Sequence, residues 1–229
     1  MRPSPDGSAA GRSGASRRRR GRGVLELVAI VALAVGLAFL IETFIVKPYK
    51  IPSGSMEPTL VPGQRVLVSK ISLDFGSPSV GEIVVFHPPE GAKDELCGPT
   101  PHVVPTGGRP CATPIPKESS ETFIKRIVAG PGEEIFVLEG HVYRCRPTGR
   151  RPCPRSAFHA QPEPYIKPCH GQGECNFPEP IRVPAGTWFM MGDNRGESDD
   201  SRFWGPVPTS WLIGEAFATY WPPDRIGTL

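Results

Sequence analysis

Three stretches of this 229-residue chain set reactive side chains in contexts that could do chemistry. The first is Ile51-Pro52-Ser53-Gly54-Ser55-Met56-Glu57-Pro58-Thr59-Leu60. Pro52 and Pro58 fix their own φ and bias the preceding residues to extended geometry. Gly54 allows a close backbone approach that a Cβ would forbid. The stretch therefore predicts a stiff turn that holds Ser55 in one place, although Ser-Gly-Ser is also ordinary turn chemistry. The second stretch runs from Glu121 to Glu133. Read as a strand, Phe123, Lys125, Ile127 and Ala129 share one face. A lysine there either marks an edge or snorkels to water, or, if buried, is pushed toward its neutral form by desolvation. The third stretch, Gly192 to Val207, is polar and carries Asp193, Asn194, Glu197, Asp199 and Asp200. It lacks the Asp-x-Asp-x-Asp-Gly spacing of a calcium loop. A loop ordered by internal ion pairs and hydrogen bonds is expected instead.

Short strands must position these stretches. Gly63–Lys70 and Gly81–Phe86 each follow a glycine and are β-branched. Residues 134–138 and 141–144 read as a hairpin around Gly140, and 181–183, 187–191 and 213–221 read as further strands. Residues 87–120 are a Pro/Gly-rich excursion, and 145–180 are loop-like. Gly and Pro together make up 55 of 229 residues, a share that favours turns and irregular loops over helices.

Ahead of the first stretch the chain changes character twice. Residues 1–23 hold seven Arg and one Asp and have no apolar face, so a disordered tail is expected. Val24–Val46 is apolar apart from Glu26, Glu42 and Thr43. As a helix it would reach roughly 34 Å, enough to cross a bilayer. The arginines before it would place the N-terminus in the cytoplasm and residues 47–229 outside. A cleaved signal peptide is the alternative, with Gly36-Leu37-Ala38 as a small-x-small triplet. Phe39-Leu40-Ile41 continues the apolar run past that triplet, which favours an uncleaved anchor. A buried soluble helix is a third reading. Ser55 follows Val46 by nine residues, so an extended chain would keep it within about 30 Å of the membrane surface.

The basic balance belongs to the tail, because residues 24–229 carry 19 basic and 22 acidic side chains. A nucleic-acid-binding body is therefore not indicated. Six cysteines stand at 97, 111, 145, 153, 169 and 175. Their even count in loop-rich sequence suggests up to three disulfides, with 15 possible connectivities, and an oxidising compartment. Cys97 and Cys111 are expected to pair. A metal cluster with His159 or His170 is the alternative, but the spacings do not match zinc sites. No metal or other cofactor is expected.

Together and in order, three motifs carry a resemblance. They are Pro-Ser-Gly-Ser-Met-x-Pro-Thr-Leu, Phe-Ile-Lys-Arg-Ile-Val-x-Gly-Pro-Gly-Glu and Gly-Asp-Asn-Arg-x-x-Ser-x-Asp-Ser-Arg-x-Trp-Gly-x-Val. Arg65–Lys70 matches a fourth. The chain resembles the bacterial type I signal peptidases (leader peptidases), membrane-bound Ser-Lys endopeptidases. The resemblance runs from the apolar segment to about Val207 and does not cover the tail, the 87–120 excursion or the cysteine-rich insertion in detail. It implies a mainly β fold: one N-terminal transmembrane helix, then an all-β catalytic domain with a disulfide-rich insertion at about 139–182. It implies Ser55 as nucleophile and Lys125 as general base. It further implies an oxyanion hole from the Ser53 hydroxyl and the Ser55 N–H, and Ser198 as the hydroxyl that orients the lysine. Asp193, Asp200, Arg202 and Arg126 would be structural around the site, and Ile51 and Ile124 would line the substrate pocket. The implied partners are exported preproteins with signal peptides and the lipid bilayer of the cell membrane.

Such a dyad makes physical sense. A serine attacks poorly until a base takes its proton, and a lysine can do so only when neutral. Lowering its pKa by about two costs roughly 3 kcal/mol, which apolar surroundings would supply. An arginine would stay charged. One oxyanion donor is typically worth about 3 kcal/mol. Two other readings remain in view: another Ser-Lys peptidase such as a self-cleaving repressor, and a non-catalytic, membrane-anchored, disulfide-stapled binding ectodomain.

Overall fold

The computed structural model of the chain describes residues 26–39, 45–104, 107–169 and 173–229. Two compact units result, residues 1–44 and residues 45–229. In the first, residues 26–39 form a helix whose Leu27, Val28, Ile30, Leu33, Val35 and Phe39 are exposed. Residues 24–25 and 40–44 of the expected span, and the expected disordered tail, lie outside the described residues. Among the described residues no helix is long and apolar enough to cross a membrane. Val46, expected to end the span, instead opens a strand.

The second unit is mainly β. Its large sheet contains β1 (Val46–Lys50), β2 (Arg65–Ser69), β13 (Leu212–Trp221), β3 (Ile83–Phe86), β6 (Phe123–Ala129), β11 (Thr187–Met191) and β12 (Val207–Pro208) in that spatial order. The short β14 (Gly227–Thr228) adds to β13. A smaller sheet runs β10 (Phe177–Arg182), β7 (Glu134–Leu138), β8 (His141–Cys145), β9 (His159–Ala160). β4 (Leu96–Cys97) and β5 (His102–Val103) pair inside the 87–120 excursion. The expected loop 145–180 thus already contains β9 and the start of β10. The smaller sheet also includes β7, ahead of the expected insertion boundary at 139.

Two apolar clusters organise the unit, and their composition follows from strand periodicity. Val66 and Val68 of β2, Ile83 and Val85 of β3 and Ala216 of β13 build one of them. Val84 and Phe86 of β3, Ile127 of β6, Phe189–Met191 of β11 and Trp204 belong to the other, which reaches into the smaller sheet through Val137 and Phe177. β3 alternates between the two clusters, which is why all four of its residues are buried.

The six cysteines pair in sequence order: Cys97–Cys111, Cys145–Cys153 and Cys169–Cys175. The first is the expected pair. Cys97 and Cys111 join the second cluster beside Phe203 and Trp204, so the excursion is packed into the domain.

Candidate active site

Strand order and register bring the three stretches together. β6 pairs with β3 on one side, Val84 opposite Lys125, and with β11 on the other, Met191 opposite Arg126. The chain leaves β11 at Met191, so the Gly192–Val207 stretch begins beside Lys125 and Arg126. The serine turn links β1 to β2, which are antiparallel with Tyr49 opposite Val66. Its base is closed by the Ile51 N–H donating to the Gln64 carbonyl at 2.8 Å and the Gly63 N–H donating to the Ile51 carbonyl at 2.9 Å.

Apolar anchors orient that turn. Ile51, Met56 and Leu60 are buried in the first cluster, which leaves Ser53 and Ser55 on the outer side. Gly54–Met56 form one 3-10 turn. Ser53, at its N-cap, keeps an extended backbone and makes no capping bond with its hydroxyl. That hydroxyl donates instead toward Ser55 Oγ at 3.4 Å. The front of the turn is clamped by Asn194. Its backbone N–H donates to the Ser55 carbonyl at 3.1 Å, and its side-chain amide donates to the Gly54 carbonyl at 3.1 Å. Thr59 Oγ1 donates to Asp193 Oδ2 at 2.6 Å, tying the end of the turn to the same loop.

Lys125 is buried at 4% exposure, and its Nζ donates to Ser198 Oγ at 2.9 Å. Burial pulls its pKa from 10.5 down to about 8. The carboxylates of Asp200, Asp199 and Asp193 oppose that shift, and Arg202 reinforces it. The lysine has therefore left the edge-strand or snorkelling alternative for the desolvated one.

Around it the charges are matched. Arg126 donates to both oxygens of Asp193, at 2.9 and 2.7 Å, and to the Gly81 carbonyl at 2.6 Å. Asp200 is fully buried and receives Arg202 through Nε at 2.8 Å and Nη2 at 2.9 Å, and the Gly192 N–H at 3.1 Å. Burial alone would raise the Asp200 carboxyl, but the Arg202 guanidinium and its hydrogen bonds, with Lys125 and the Gly192 N–H, hold it below its ordinary value. Arg202 also donates to the Ser198 carbonyl at 3.0 Å, fixing the backbone that carries the Lys125 partner. The loop is ordered by internal ion pairs and hydrogen bonds, as its composition suggests.

A groove of about 700 Å³ opens over these groups, and Ser53, Ser55 and Lys125 line it together with Ile51, Ile124 and Asp199. The site residues that the resemblance implies thus fall either on this groove or in the polar frame behind it. Sequence reasoning missed Asn194, Thr59 and Gly192. A Cβ on Gly192 would lie 2.6 Å from the Ser198 Cβ, and closer still to the Ser198 hydroxyl and the Ser55 carbonyl oxygen. Only a glycine lets both serines approach this loop. The signal for all three was the motifs themselves, since Gly192 and Asn194 open the third stretch and Thr59 stands in the first.

The arrangement offers a hydroxyl on a rigid turn, a desolvated amine, and a groove that both line: the parts of a nucleophilic hydrolase. The family model for signal peptidase, peptidase S26, matches residues 24–221. A "Probable signal peptidase I-1" of Synechocystis sp. is 35% identical over 206 residues, covering 90% of this chain and 87% of that protein. A "Signal peptidase I" of Leptolyngbya laminosa is 35% identical over 219 residues, covering 94% and 88%. A "Signal peptidase I" of Mycobacterium tuberculosis is 32% identical over 252 residues, covering 98% and 83%. The chain belongs to the signal peptidase family, peptidase S26. It is a serine endopeptidase.

Proposed function

We propose that this protein is a membrane-bound type I signal peptidase that removes N-terminal signal peptides from exported preproteins, with Ser55 as nucleophile and Lys125 as general base. The observation that carries this reading is Lys125, buried on the same groove as Ser55 and held at 2.9 Å by Ser198. A buried, hydrogen-bonded lysine with a pKa near 8 is costly for stability alone, and a base needs it.

In the proposed reaction neutral Lys125 takes the Ser55 Oγ proton as Oγ attacks the scissile carbonyl carbon. The resulting oxyanion accepts hydrogen bonds from the Ser55 N–H and the Ser53 hydroxyl. Collapse breaks the C–N bond, and the Lys125 ammonium passes its proton to the departing amine of the mature protein. Water, deprotonated by Lys125, then attacks the acyl ester; the C–Oγ bond breaks as the Lys125 ammonium returns its proton to Ser55 Oγ, and the signal peptide leaves with a free carboxylate. Ile51 and Ile124 line the groove, and in this reading they limit the −1 and −3 positions to small side chains. The substrate strand would lie extended along the groove. The apolar helix at 26–39 would belong to a single-pass anchor with the Arg-rich tail in the cytoplasm and the catalytic domain outside.

The test is cleavage of a preprotein ending its signal peptide in Ala-x-Ala by the purified full chain in detergent, with the new N-terminus read by mass spectrometry. One cut directly after the second Ala is expected, with Phe at −1 or −3 lowering kcat/KM by at least about 100-fold. Equal cleavage of the Phe substrates would refute the assigned specificity.

A further inference from the structure

The polar frame behind the groove does not end at the third motif. A segment of the disulfide-rich insertion, residues 163–169, lies along it and touches it repeatedly. Glu163, Tyr165 and Cys169 meet it with their side chains and Lys167 with its backbone. Glu163 grips Arg195 with both carboxylate oxygens, which accept from Nη2 at 2.6 Å and from Nη1 at 3.1 Å. Both side chains are fully buried. Tyr165 lies under the Arg126 guanidinium at 3.9 Å from the ring centroid. Lys167 forms a parallel bridge with Asn194. Its N–H donates to the Asp193 carbonyl at 2.8 Å, and its carbonyl accepts the Arg195 N–H at 3.1 Å. Cys169, locked to Cys175, sits against Gly140 and Gly196.

One of these routes to the reacting groups passes through Arg195. Arg195 Nε donates to the Gly192 carbonyl at 3.0 Å. Gly192 is the residue wedged between the Ser55 carbonyl and the Ser198 hydroxyl, with no room for a Cβ. The insertion therefore reaches Ser55 and the Lys125 partner by a short buried route: Glu163 to Arg195 to Gly192. The far end of the route is fixed as well, because the Val142 N–H of β8 donates to Glu163 Oε2 at 3.1 Å and Arg195 Nη1 donates to the Gly140 carbonyl.

We infer that residues 163–169 act as a strap that sets the catalytic loop, and that Glu163 is a positioning residue for the Ser55 and Ser198 hydroxyls. The inference rests on the proposed roles of Ser55 and Ser198. The insertion is then part of the catalytic apparatus, and the Cys169–Cys175 disulfide tethers the strap at its end. A buried guanidinium that loses its carboxylate keeps only carbonyl partners, so it shifts and the Gly192 carbonyl shifts with it. Small displacements of reacting groups cost rate more than binding.

The experiment uses the full chain in detergent, the Ala-x-Ala preprotein, and single-turnover kinetics with enzyme in excess, so that the rate constant does not depend on the fraction of folded enzyme. Glu163→Gln keeps the shape and the acceptor for the Val142 N–H but removes the charge facing Arg195. Its limiting single-turnover rate at saturating enzyme should fall about tenfold or more, with the enzyme concentration giving half that rate changed by less than about twofold. Glu163→Asp, which keeps the charge, should recover part of the loss. Should Glu163→Gln fail to fold, Cys169→Ala/Cys175→Ala frees the strap end while keeping each Cβ, and the same loss of rate is expected. A folded Glu163→Gln, or failing that a folded cysteine double variant, with the wild-type single-turnover rate overturns the inference. Ser55→Ala is the companion control: if it is inactive while Glu163→Gln is fully active, the strap fails and the site reading stands. If Ser55→Ala is active, the site reading itself fails.

Discussion

Lys125 carries a pH dependence with a definite sign. In its proposed role of general base it works only when neutral, and burial lowers its pKa to about 8. The kcat/KM for preprotein cleavage should therefore rise with pH and reach half its plateau near pH 8, since this profile reports the free enzyme. Asp199, at the groove, is one of the carboxylates that favour the ammonium form. Asp199→Asn removes that charge, so the lysine should lose its proton more readily and the rising limb should move to lower pH. Glu95 of the excursion makes a carboxyl contact with Asp199, and burial and that neighbour together push the Glu95 pKa up. A pH series on the wild type and Asp199→Asn checks both statements. A limb that stays in place, or moves upward, contradicts the account.

At the level of elements, the site depends on β6 being the seam between β3 and β11. That register delivers Lys125 from one strand and the Gly192 loop from the end of its neighbour, while the β1–β2 connection brings Ser55 across. Gly192 is where the two meet. Gly192→Ala should lower kcat/KM by about 100-fold or more, because its methyl displaces the Ser55 carbonyl or the Ser198 hydroxyl. Steady-state kinetics with circular dichroism to confirm folding would show it, and near-wild-type turnover would exclude so tight a contact. Part of this was legible in the sequence. The alternation of Phe123, Ile127 and Ala129 around Lys125 marked a face where a lysine has apolar neighbours, and the prolines around Ser55 marked a stiff turn. The Asn194 clamp on Gly54 and Ser55 was not legible from spacing, because it depends on a pairing 140 residues apart in sequence. Glu163 was invisible for the same reason. An acid in a Pro-rich, cysteine-rich segment looks like a solvated loop until Arg195 is found against it.

The whole molecule divides at residue 44 into an N-terminal unit containing an apolar helix and a β domain that holds all six cysteines in three bonds. Composition anticipated the disulfides and the β class, since high Gly and Pro content with short β-branched runs leaves little else. It did not anticipate how far the insertion and the excursion are built into the domain. Cys97, Cys111 and Phe177 lie in the same apolar cluster as Trp204, and long-range packing of that kind has no local periodicity to announce it. This architecture brings Ser55 and Lys125 to one groove, and their pairing is the core of the proposed chemistry. Its most direct test is turnover of an Ala-x-Ala preprotein by Ser55→Ala and by Lys125→Met, each with its melting temperature measured. Methionine fills the lysine cavity without an amine, so the fold should hold. No detectable cleavage is expected from either variant, at a melting temperature no lower than that of the wild type. Near-normal cleavage by either well-folded variant would contradict it.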